Sequence, residues 1–295
     1  MSGYSAKTRI IRRPASTSQH AFSRISPTID VVSMQAQGLK HVMITVHPED
    51  AKDPDAMFRD LARIVERENV MILTQFVFGG TELRNSGVAS IEERMGALSW
   101  PVTWIEGEGA SCEPYLTGSQ IHAVSGGKVR AIRLGDHVIG NMIEDDDAQY
   151  CILGDLRPDP SLPREEQVEH SFKMMEEALA VCDMDFSNVA RTWFYLEDIN
   201  SWYDGFNRVR TDFFNKRGVF GRMVPASTGI GVANHGGSAV VADVYAIKPK
   251  KPGISVEAIP SPLQCPAIDY KSSFSRAVEI GTADQRLLMI SGSAS

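Results

Sequence analysis

Short apolar runs alternate with amphipathic segments along most of the chain, and this pattern predicts an α+β protein. Strand candidates are apolar or β-branched runs bounded by turn residues, and they span residues 41–46, 70–78, 102–105, 130–134, 137–143, 149–153, 188–196, 238–247 and 287–291. Helix candidates have apolar residues at three- and four-residue steps, and they span residues 54–67, 91–98, 163–182 and 202–213.

The order of these elements indicates an internal repeat. A strand–helix–strand pattern over 41–78 resembles the longer pattern over 149–247, and Pro101–Gly107 aligns with Pro225–Gly231 at the proline, a hydroxyl residue and the last glycine. We therefore predict tandem units of one α+β fold, each a mixed sheet with two helices packed on one face. The predicted division is an N-terminal arm over 1–36, a degenerate unit over 37–125, a well-formed unit over 126–250, and the truncated start of a third unit over 251–295.

Composition excludes several classes of protein. Hydrophobic residues make up 43% and charged residues 23% of the 295 residues, which excludes a wholly disordered chain. The net charge of −7 argues against a general nucleic-acid coat, because such a protein needs a basic surface. No apolar run approaches the roughly 20 residues that cross a bilayer, so we expect no membrane partner.

The cysteines and the N-terminal segment bear on the cellular compartment. Cys112, Cys151, Cys182 and Cys265 are widely spaced and include no C-x-x-C pair, which argues against a zinc ribbon or a redox dithiol motif. Two disulfides in a secreted protein are the less favoured alternative, because no signal peptide precedes them. The first 28 residues are basic and contain no acid. A flexible arm is favoured over an organellar transit peptide, so we expect a cytoplasmic protein.

Several ordered motifs over residues 126–248 resemble the Rid family, also called YjgF or endoribonuclease L-PSP. Glu165-Glu166-Gln167 is similar to the start of the first helix in that family, and Val189–Leu196 followed by Asp198-Ile199 is similar to its next strand and turn. Phe206–Phe214 resembles the second helix, with Arg210 where tyrosine is usual. Two short segments, 225–231 and 290–295, are similar to the chorismatase-like branch, whose members carry tandem Rid-like units.

The resemblance implies both an assembly and a chemistry. Family members form trimers, or pseudo-trimers from fused repeats, and their pockets lie between neighbouring units. Typical members hydrolyse reactive enamines and imines of amino-acid metabolism without a cofactor. An arginine directly after a Pro-Ala pair holds the substrate carboxylate, and an acid on the last strand positions water.

This chain departs from that pattern at the arginine. Ser227 follows Pro225-Ala226 in its place, and a hydroxyl donates only one neutral hydrogen bond. Arg222 is one candidate to reach the same pocket, although a solvated loop residue is the favoured interpretation.

Alternation along the last strand places Asp243 and Tyr245 on the face opposite the small apolar side chains, where a pocket is expected. Asp243 is then either a general base for water or one partner of an ion pair.

Three further segments are candidates for binding. The Ser227-Thr228-Gly229 segment combines hydroxyls with backbone amides beside a glycine, which suits an anionic oxygen. Gly140-Asn141 matches a strand end where the family backbone approaches its ligand, and a simple strand glycine is the alternative. Asp145-Asp146-Asp147 is interpreted as a solvated hairpin tip rather than a cation site. No histidine motif indicates a metal.

These observations leave three functions. The first is a cofactor-free small-molecule hydrolase acting as an enamine or imine deaminase on a carboxylate substrate, with catalytic residues Asp243 and Tyr245. The second is a chorismatase-like hydrolase of a cyclic carboxylic acid. The third is a ligand-binding protein that retains the fold without the chemistry. A ribonuclease is least favoured, since the sequence shows no basic aromatic surface. We expect a trimer or an intramolecular pseudo-trimer.

Overall fold

The structure is a computed structural model that describes residues 20–26, 28–36, 38–50, 53–107, 115–270, 272–282 and 285–292. The elements of the first half are β1 (His20–Ser26), β2 (Ile29–Ala36), β3 (Leu39–Val46), α1 (Pro54–Glu68), β4 (Met71–Gly79), α2 (Arg84–Met95), β5 (Val102–Gly107) and β6 (Leu116–Ser125). Those of the second half are β7 (Arg130–Leu134), β8 (His137–Glu144), β9 (Ala148–Leu156), α3 (Arg164–Ala180), β10 (Val189–Leu196), α4 (Ile199–Lys216), β11 (Ala226–Ala233) and β12 (Val240–Pro249). Three more strands follow, β13 (Ser255–Ile259), β14 (Ala277–Gly281) and β15 (Arg286–Ile290).

Twelve of the described strands form one mixed sheet in the order β1-β2-β3-β6-β4-β5-β11-β10-β12-β9-β8-β7. Both halves therefore follow the chain order of three strands, helix, strand, helix and two strands. The remaining strands form a separate sheet in the order β13-β14-β15. In this sheet three consecutive strands are neighbours, as are β1-β2-β3 at the start of the first half and β7-β8-β9 at the start of the second.

The two halves meet at β5 and β11, which are antiparallel and share only two residue pairs, Val232–Gly107 and Ala233–Glu106. A buried amide strengthens the junction, because Asn141 Nδ2 donates to the Leu73 carbonyl at 2.9 Å. Asn141 lies on β8 and Leu73 on β4, so this bond connects the interior of one half to the interior of the other.

Local sequence explains where the helices begin and end. Asp53 caps α1 by accepting from the Ala56 amide at 3.1 Å, and Pro54 occupies its first turn. Asn69 ends α1 in the left-handed conformation with φ of 49°. Pro163 precedes α3, whose first turn carries Glu165 and Glu166 as the helix dipole favours.

Each half buries its helices against one face of the sheet. In the second half that core includes side chains from α3, α4 and the small residues of β12, namely Val168, Phe172, Leu179, Phe206, Phe214, Val240, Ala242, Val244 and Ala246. The opposite face of both halves packs against the separate three-stranded sheet through another cluster, which includes Leu39, Leu73, Tyr150, Tyr245, Val278 and Ile280. The site described below lies on this second face, which we call the inner face.

Several expectations from the sequence are corrected. Residues 20–26 and 29–36 were expected in an arm, but they form β1 and β2, because β2 pairs antiparallel with β3 and β1 pairs antiparallel with β2. The remainder of the expected arm lies outside the described residues. The strand predicted over 238–247 corresponds to β12, which begins at Val240 and continues through Pro249 opposite Ala148. Residues 116–125, which were not predicted, form the central strand β6.

Two candidate binding segments have defined structures. The Ser227-Thr228-Gly229 segment is part of β11, which pairs in parallel with β10. Asp145-Asp146-Asp147 does form a hairpin tip, yet Asp145 and Asp147 are 8% and 4% exposed rather than solvated. Asp145 Oδ1 accepts from the amides of Asp147 and Ala148, so the aspartate side chain provides the hydrogen-bond acceptor for these backbone groups of the turn. Among the described residues, no helix is both long and apolar enough to pass through a membrane.

Candidate functional site

Asp243 and Tyr245 project from β12 onto the inner face, as the alternation along the strand predicts. Val240, Ala242, Val244 and Ala246 face the helices instead. Asp243 and Tyr245 line a cavity of about 370 Å³ between the two halves and the separate three-stranded sheet. Other side chains that line this cavity are His41, Phe76, His122, Tyr150, Trp193 and Met289. The cavity is therefore mostly apolar, with a few polar groups that converge on it.

The Asp243 carboxyl group is held by donors from both halves. The Thr103 hydroxyl donates to its two oxygens at 2.9 and 3.1 Å, and the Asp155 amide donates to Oδ1 at 3.0 Å. Asp243 is 1% exposed. Burial raises the pKa of Asp243 to about 8 despite these two stabilising hydrogen bonds. The group is accordingly protonated for the most part at neutral pH and is able to deliver a proton.

Asp155 connects Asp243 to two arginines at the junction. Its carboxylate accepts from Arg84 Nη2 and pairs with Arg157 Nε, both at 3.1 Å. Asp155 has a φ of 51°, a conformation that aspartate tolerates better than most residues. Burial raises the pKa of Asp155, although the two arginines act in the opposite direction. The pair of acids is therefore fixed in place by backbone and side-chain contacts together.

A second polar cluster lies on the first-half side of the cavity. His41 Nδ1 and His122 Nε2 are 3.1 Å apart, and the His41 ring meets Tyr150 edge-on at 6.4 Å between ring centres. The Tyr150 hydroxyl donates to Asp145 Oδ2 at 2.9 Å. Burial, together with the neighbouring His41, lowers the pKa of His122 to about 3. Both imidazoles are consequently neutral near pH 7, and burial likewise lowers the pKa of His41.

Arg191 on β10 is a functional candidate that the sequence analysis did not single out. It is 5% exposed, and none of the described carboxylates pairs with it. Its Nη2 donates to the Thr228 hydroxyl, its Nη1 donates to Ser291 Oγ at 3.4 Å, and its guanidinium carbon lies 4.7 Å from the centre of the Trp193 ring. Burial lowers the pKa of Arg191 to about 10, so the group remains a cation.

The strand register places Arg191 beside the cavity residues. Arg191 pairs with Tyr245, and Trp193 pairs with Asp243. Paired residues face the same side of a sheet, and diagonal neighbours lie about 7–8 Å apart. A cation, an indole ring, a carboxyl group and a phenol therefore form one cross-strand quartet on the inner face. The available signal was a single charge inside an apolar, aromatic strand, Val189–Leu196.

The structure separates Ser227 from Thr228. Thr228 faces Arg191 on the inner side, while Ser227 faces the helices, where its hydroxyl accepts from Thr192 at 2.8 Å and from Arg210 at 3.4 Å. Arg210 is 1% exposed, and its Nη2 donates to Asn207 at 2.6 Å. The two hydroxyls thus accept hydrogen bonds from two different buried arginines and do not form one anion site.

The other candidates lie away from Asp243. Arg222 is exposed and lies near Asp185, before β11 begins at Ala226. Asn141 is buried and occupied with the Leu73 carbonyl, and Gly140 lies where an added Cβ would come within 2.5 Å of the Ile152 carbonyl oxygen. Gly229 lies near Tyr203 on the helix side. Within the described ranges, no group of three or more histidine, cysteine or acidic side chains is arranged to hold a metal.

No protein-family model and no curated protein matches the chain. Solved structures resemble part of it. A member of the YjgF family from Neisseria meningitidis is 17% identical over 41% of this chain and 95% of its own, with a TM-score of 0.33. A member from Mycobacterium tuberculosis is 15% identical over 41% of this chain and 100% of its own, with a TM-score of 0.34. TdcF from E. coli, in a structure with bound serine, is 13% identical over 40% of this chain and 92% of its own, with a TM-score of 0.33.

Proposed function

We propose that the protein is a cofactor-free hydrolase of a small carboxylic acid, with an imine or enamine deaminase as the first candidate. The observation that carries this proposal is Arg191, a buried guanidinium on the same face of β10 and β12 as Asp243. The two halves are proposed to be Rid-like units, and the sheet of β13-β14-β15 is proposed to be the start of a third. In this proposal the units form an intramolecular pseudo-trimer.

Arg191 supplies the carboxylate-binding charge in place of the arginine expected at position 227. A planar guanidinium holds a carboxylate through two parallel hydrogen bonds, which a serine hydroxyl does not. Within the described residues its side-chain hydrogen bonds are to the neutral hydroxyls of Thr228 and Ser291. A substrate carboxylate can replace these hydroxyls or bind beside them without breaking an ion pair. Trp193 supports the guanidinium from one side and lines the cavity on the other.

Asp243 acts as the proton donor and acceptor. In imine hydrolysis water adds to the carbon of the C=N bond, the nitrogen takes a proton, and the amine leaves as ammonia to give a keto acid. A carboxyl group with a pKa of about 8 is protonated when the substrate binds, so it protonates the nitrogen and then accepts the proton of the attacking water. Tyr245, which pairs with Arg191 in the neighbouring strand, orients the substrate beside it.

The test is hydrolysis of a freshly generated 2-imino acid by the purified chain, compared with its Asp243→Asn and Arg191→Gln variants. We expect Asp243→Asn to lower kcat by at least about 100-fold, as loss of a general acid does. We expect Arg191→Gln to raise KM more than it lowers kcat, because the guanidinium binds the carboxylate throughout the reaction. Activity should decline as the pH rises through about 8, since Asp243 then loses its proton.

Matched variants separate this proposal from the alternatives. Arg63→Gln removes an exposed arginine on α1 and serves as the neutral control. Arg222→Gln tests the arginine that the sequence analysis considered, and a rise in KM there with none in Arg191→Gln would overturn the assignment of Arg191. A folded chain that binds the acid without turnover would support a binding protein instead.

The cavity itself favours a second candidate, hydrolysis of a cyclic carboxylic acid such as chorismate. Its volume of about 370 Å³ and its lining by Phe76, Trp193 and Met289 suit a ring better than a small imino acid. The same variants apply, with chorismate as the substrate. Turnover of chorismate alone, lost in Asp243→Asn, would place the activity with the chorismatase-like branch.

A further inference from the structure

Two free cysteines come together in the helix-side core of the second half, although no C-x-x-C motif joins them. Cys151 lies in the middle of β9, and Cys182 follows the C-terminal end of α3. Both are free and buried, with 0% and 2% exposure. Both side chains belong to the buried cluster between the sheet and α3 and α4, and each thiol affects the pKa of the other. A strand and the helix that packs on it are thus one oxidation step from being covalently joined.

An arginine stands beside this pair because of the strand register. Arg130 on β7 pairs with Met142 on β8, and Met142 pairs with Cys151 on β9. The three side chains therefore share one face of the sheet. Arg130 Nη2 also donates to the carbonyl of Val181, directly before Cys182, at 3.1 Å. A cation therefore lies beside the two buried thiols.

The surroundings distinguish the two sulfurs. The interaction with Cys151, followed by the nearby Arg130, lowers the pKa of Cys182 below that of an ordinary thiol. The interaction with Cys182 and burial raise the pKa of Cys151. Cys182 is therefore the sulfur that ionises first, and Cys151 remains protonated beside it. An attacking thiolate next to a resolving thiol is the arrangement found in redox-sensing cysteine pairs.

We propose that Cys151 and Cys182 form an oxidisable dithiol, which a hydroperoxide converts into an intramolecular disulfide. The Cys182 thiolate attacks the peroxide oxygen, which breaks the O–O bond, forms a sulfenic acid and releases an alcohol or water after proton uptake. The Cys151 sulfur then attacks the sulfenic sulfur, forming the S–S bond and releasing water with the thiol proton. Overall, two thiols are oxidised and one hydroperoxide is reduced.

The disulfide would fix the end of α3 to the central strand of its own sheet. Cys151 also pairs with Ala246 on β12, which directly follows Tyr245. Cross-linking at this point restrains the unfolded chain and therefore raises the stability of the second half. This modification is independent of the hydrolase activity proposed above, and its test needs no substrate.

The experiment exposes the full reduced chain to hydrogen peroxide under native conditions and then alkylates the remaining thiols in denaturant. We expect peptide mass spectrometry to identify a Cys151–Cys182 cross-link with the loss of two hydrogens, and the Tm of the oxidised chain to rise by several degrees. Dithiothreitol should reverse both changes. The Cys265→Ser variant, which removes an exposed cysteine, should still form the cross-link.

Two comparisons make the result decisive. Arg130→Gln should slow oxidation several-fold, while Arg133→Gln, which removes another arginine of the same strand, should not. Native chain in which both thiols remain fully alkylatable, or are converted to sulfinic acid without a cross-link, would overturn the proposal. So would a cross-link that involves Cys265 or Cys112 instead, the latter lying outside the described residues.

Discussion

Thr103 and Asp243 are 140 positions apart in the sequence, and the Thr103 hydroxyl donates to the Asp243 carboxyl group at 2.9 Å. Thr103 belongs to β5 of the first half and Asp243 to β12 of the second. Thr103 Oγ1 also accepts from the Asp155 amide at 2.9 Å. A residue of one half thus lowers the pKa of the proposed catalytic group in the other half against the larger effect of burial, and this relationship is open to direct measurement.

We predict that Thr103→Val raises the pKa of Asp243 above about 8. The hydroxyl stabilises the ionised carboxylate, so its loss favours the protonated form. The variant should also lose about 1–3 kcal/mol of stability, because it leaves a buried acceptor with one donor fewer. Infrared detection of the protonated carboxyl group across a pH titration measures the shift.

The matched control is Thr117→Val. Thr117 also donates to an oxygen of another strand, the Phe78 carbonyl at 3.0 Å, but it is exposed. Its replacement should leave the titration of Asp243 unchanged. If Thr103→Val titrates like the unaltered protein, the hydroxyl does not control this carboxyl group.

Asp243 should make stability fall as the pH rises. Its pKa of about 8 in the folded protein exceeds the value of about 3.9 for an unfolded aspartate, so the folded state retains a proton that the unfolded state has lost. The stabilising contribution is complete below about pH 4 and is lost as the pH rises through about 8. The slope is at most about 1.4 kcal/mol per pH unit.

Asp243→Asn should remove this slope between about pH 4 and pH 8. Urea denaturation at several pH values measures it, with Asp60→Asn on the surface of α1 as the control. The expectation fails if Asp243→Asn keeps the pH dependence of the parent protein while Asp60→Asn does the same.

His122 should produce the opposite dependence in acid. Its pKa of about 3 lies below the unfolded value of about 6.5, so the folded state holds the neutral imidazole. The contribution is present above about pH 6.5 and is lost as the pH falls toward about 3. His122→Gln should therefore lose less stability between pH 6.5 and pH 4 than the parent does.

The comparison variant is His47→Gln, whose ring lies in an exposed position near the Thr117 carbonyl. It should show the same acid sensitivity as the parent in urea titrations. Equal acid sensitivity of all three proteins would contradict the role given to His122. His41 retains a lowered pKa in every variant, so some acid sensitivity persists.

Gly140→Ala distinguishes a packing role from a ligand-contact role for this glycine. An added Cβ would lie 2.5 Å from the Ile152 carbonyl oxygen and 2.6 Å from Leu153 Cδ2. We expect a loss of about 1–3 kcal/mol, since the neighbouring strand backbone has to move. Gly221→Ala, where no atom lies within 4 Å of the added Cβ, should change stability by less than about 0.5 kcal/mol.

Thermal denaturation of the two glycine variants provides the measurement. A stable Gly140→Ala protein with reduced activity would instead indicate that the glycine admits a ligand. The sequence analysis left these two interpretations open, and the close approach of β8 to β9 favours packing.

The sequence predicted the orientation of Asp243 because a strand has a period of two and its neighbours Ala242 and Val244 are small and apolar. It likewise predicted α3, whose apolar spacing and preceding proline are local signals. These features depend on residues within a few positions of each other. Local pattern therefore sufficed for the face on which the proposed catalytic group lies.

The partners of Arg191 were not predictable in this way. Its hydroxyl contacts lie 37 positions away at Thr228 and 100 positions away at Ser291. Those contacts depend on which strands become neighbours, and a single sequence does not specify that. β6 was missed for a related reason, since its polar and glycine residues give a weak local strand pattern, and its pairing with β3 and β4 is set by distant parts of the chain.

The repetition of one element order within a single polypeptide frees each half to change alone. In an assembly of identical subunits, every substitution appears in all copies at once. Here Thr103 and Ser227 occupy matching positions after Pro101 and Pro225. Thr103 donates a hydrogen bond to Asp243, whereas Ser227 accepts hydrogen bonds from Thr192 and Arg210. Within one polypeptide, matching positions of the two halves can therefore differ, so that the contacts of one half can change without altering those of the other.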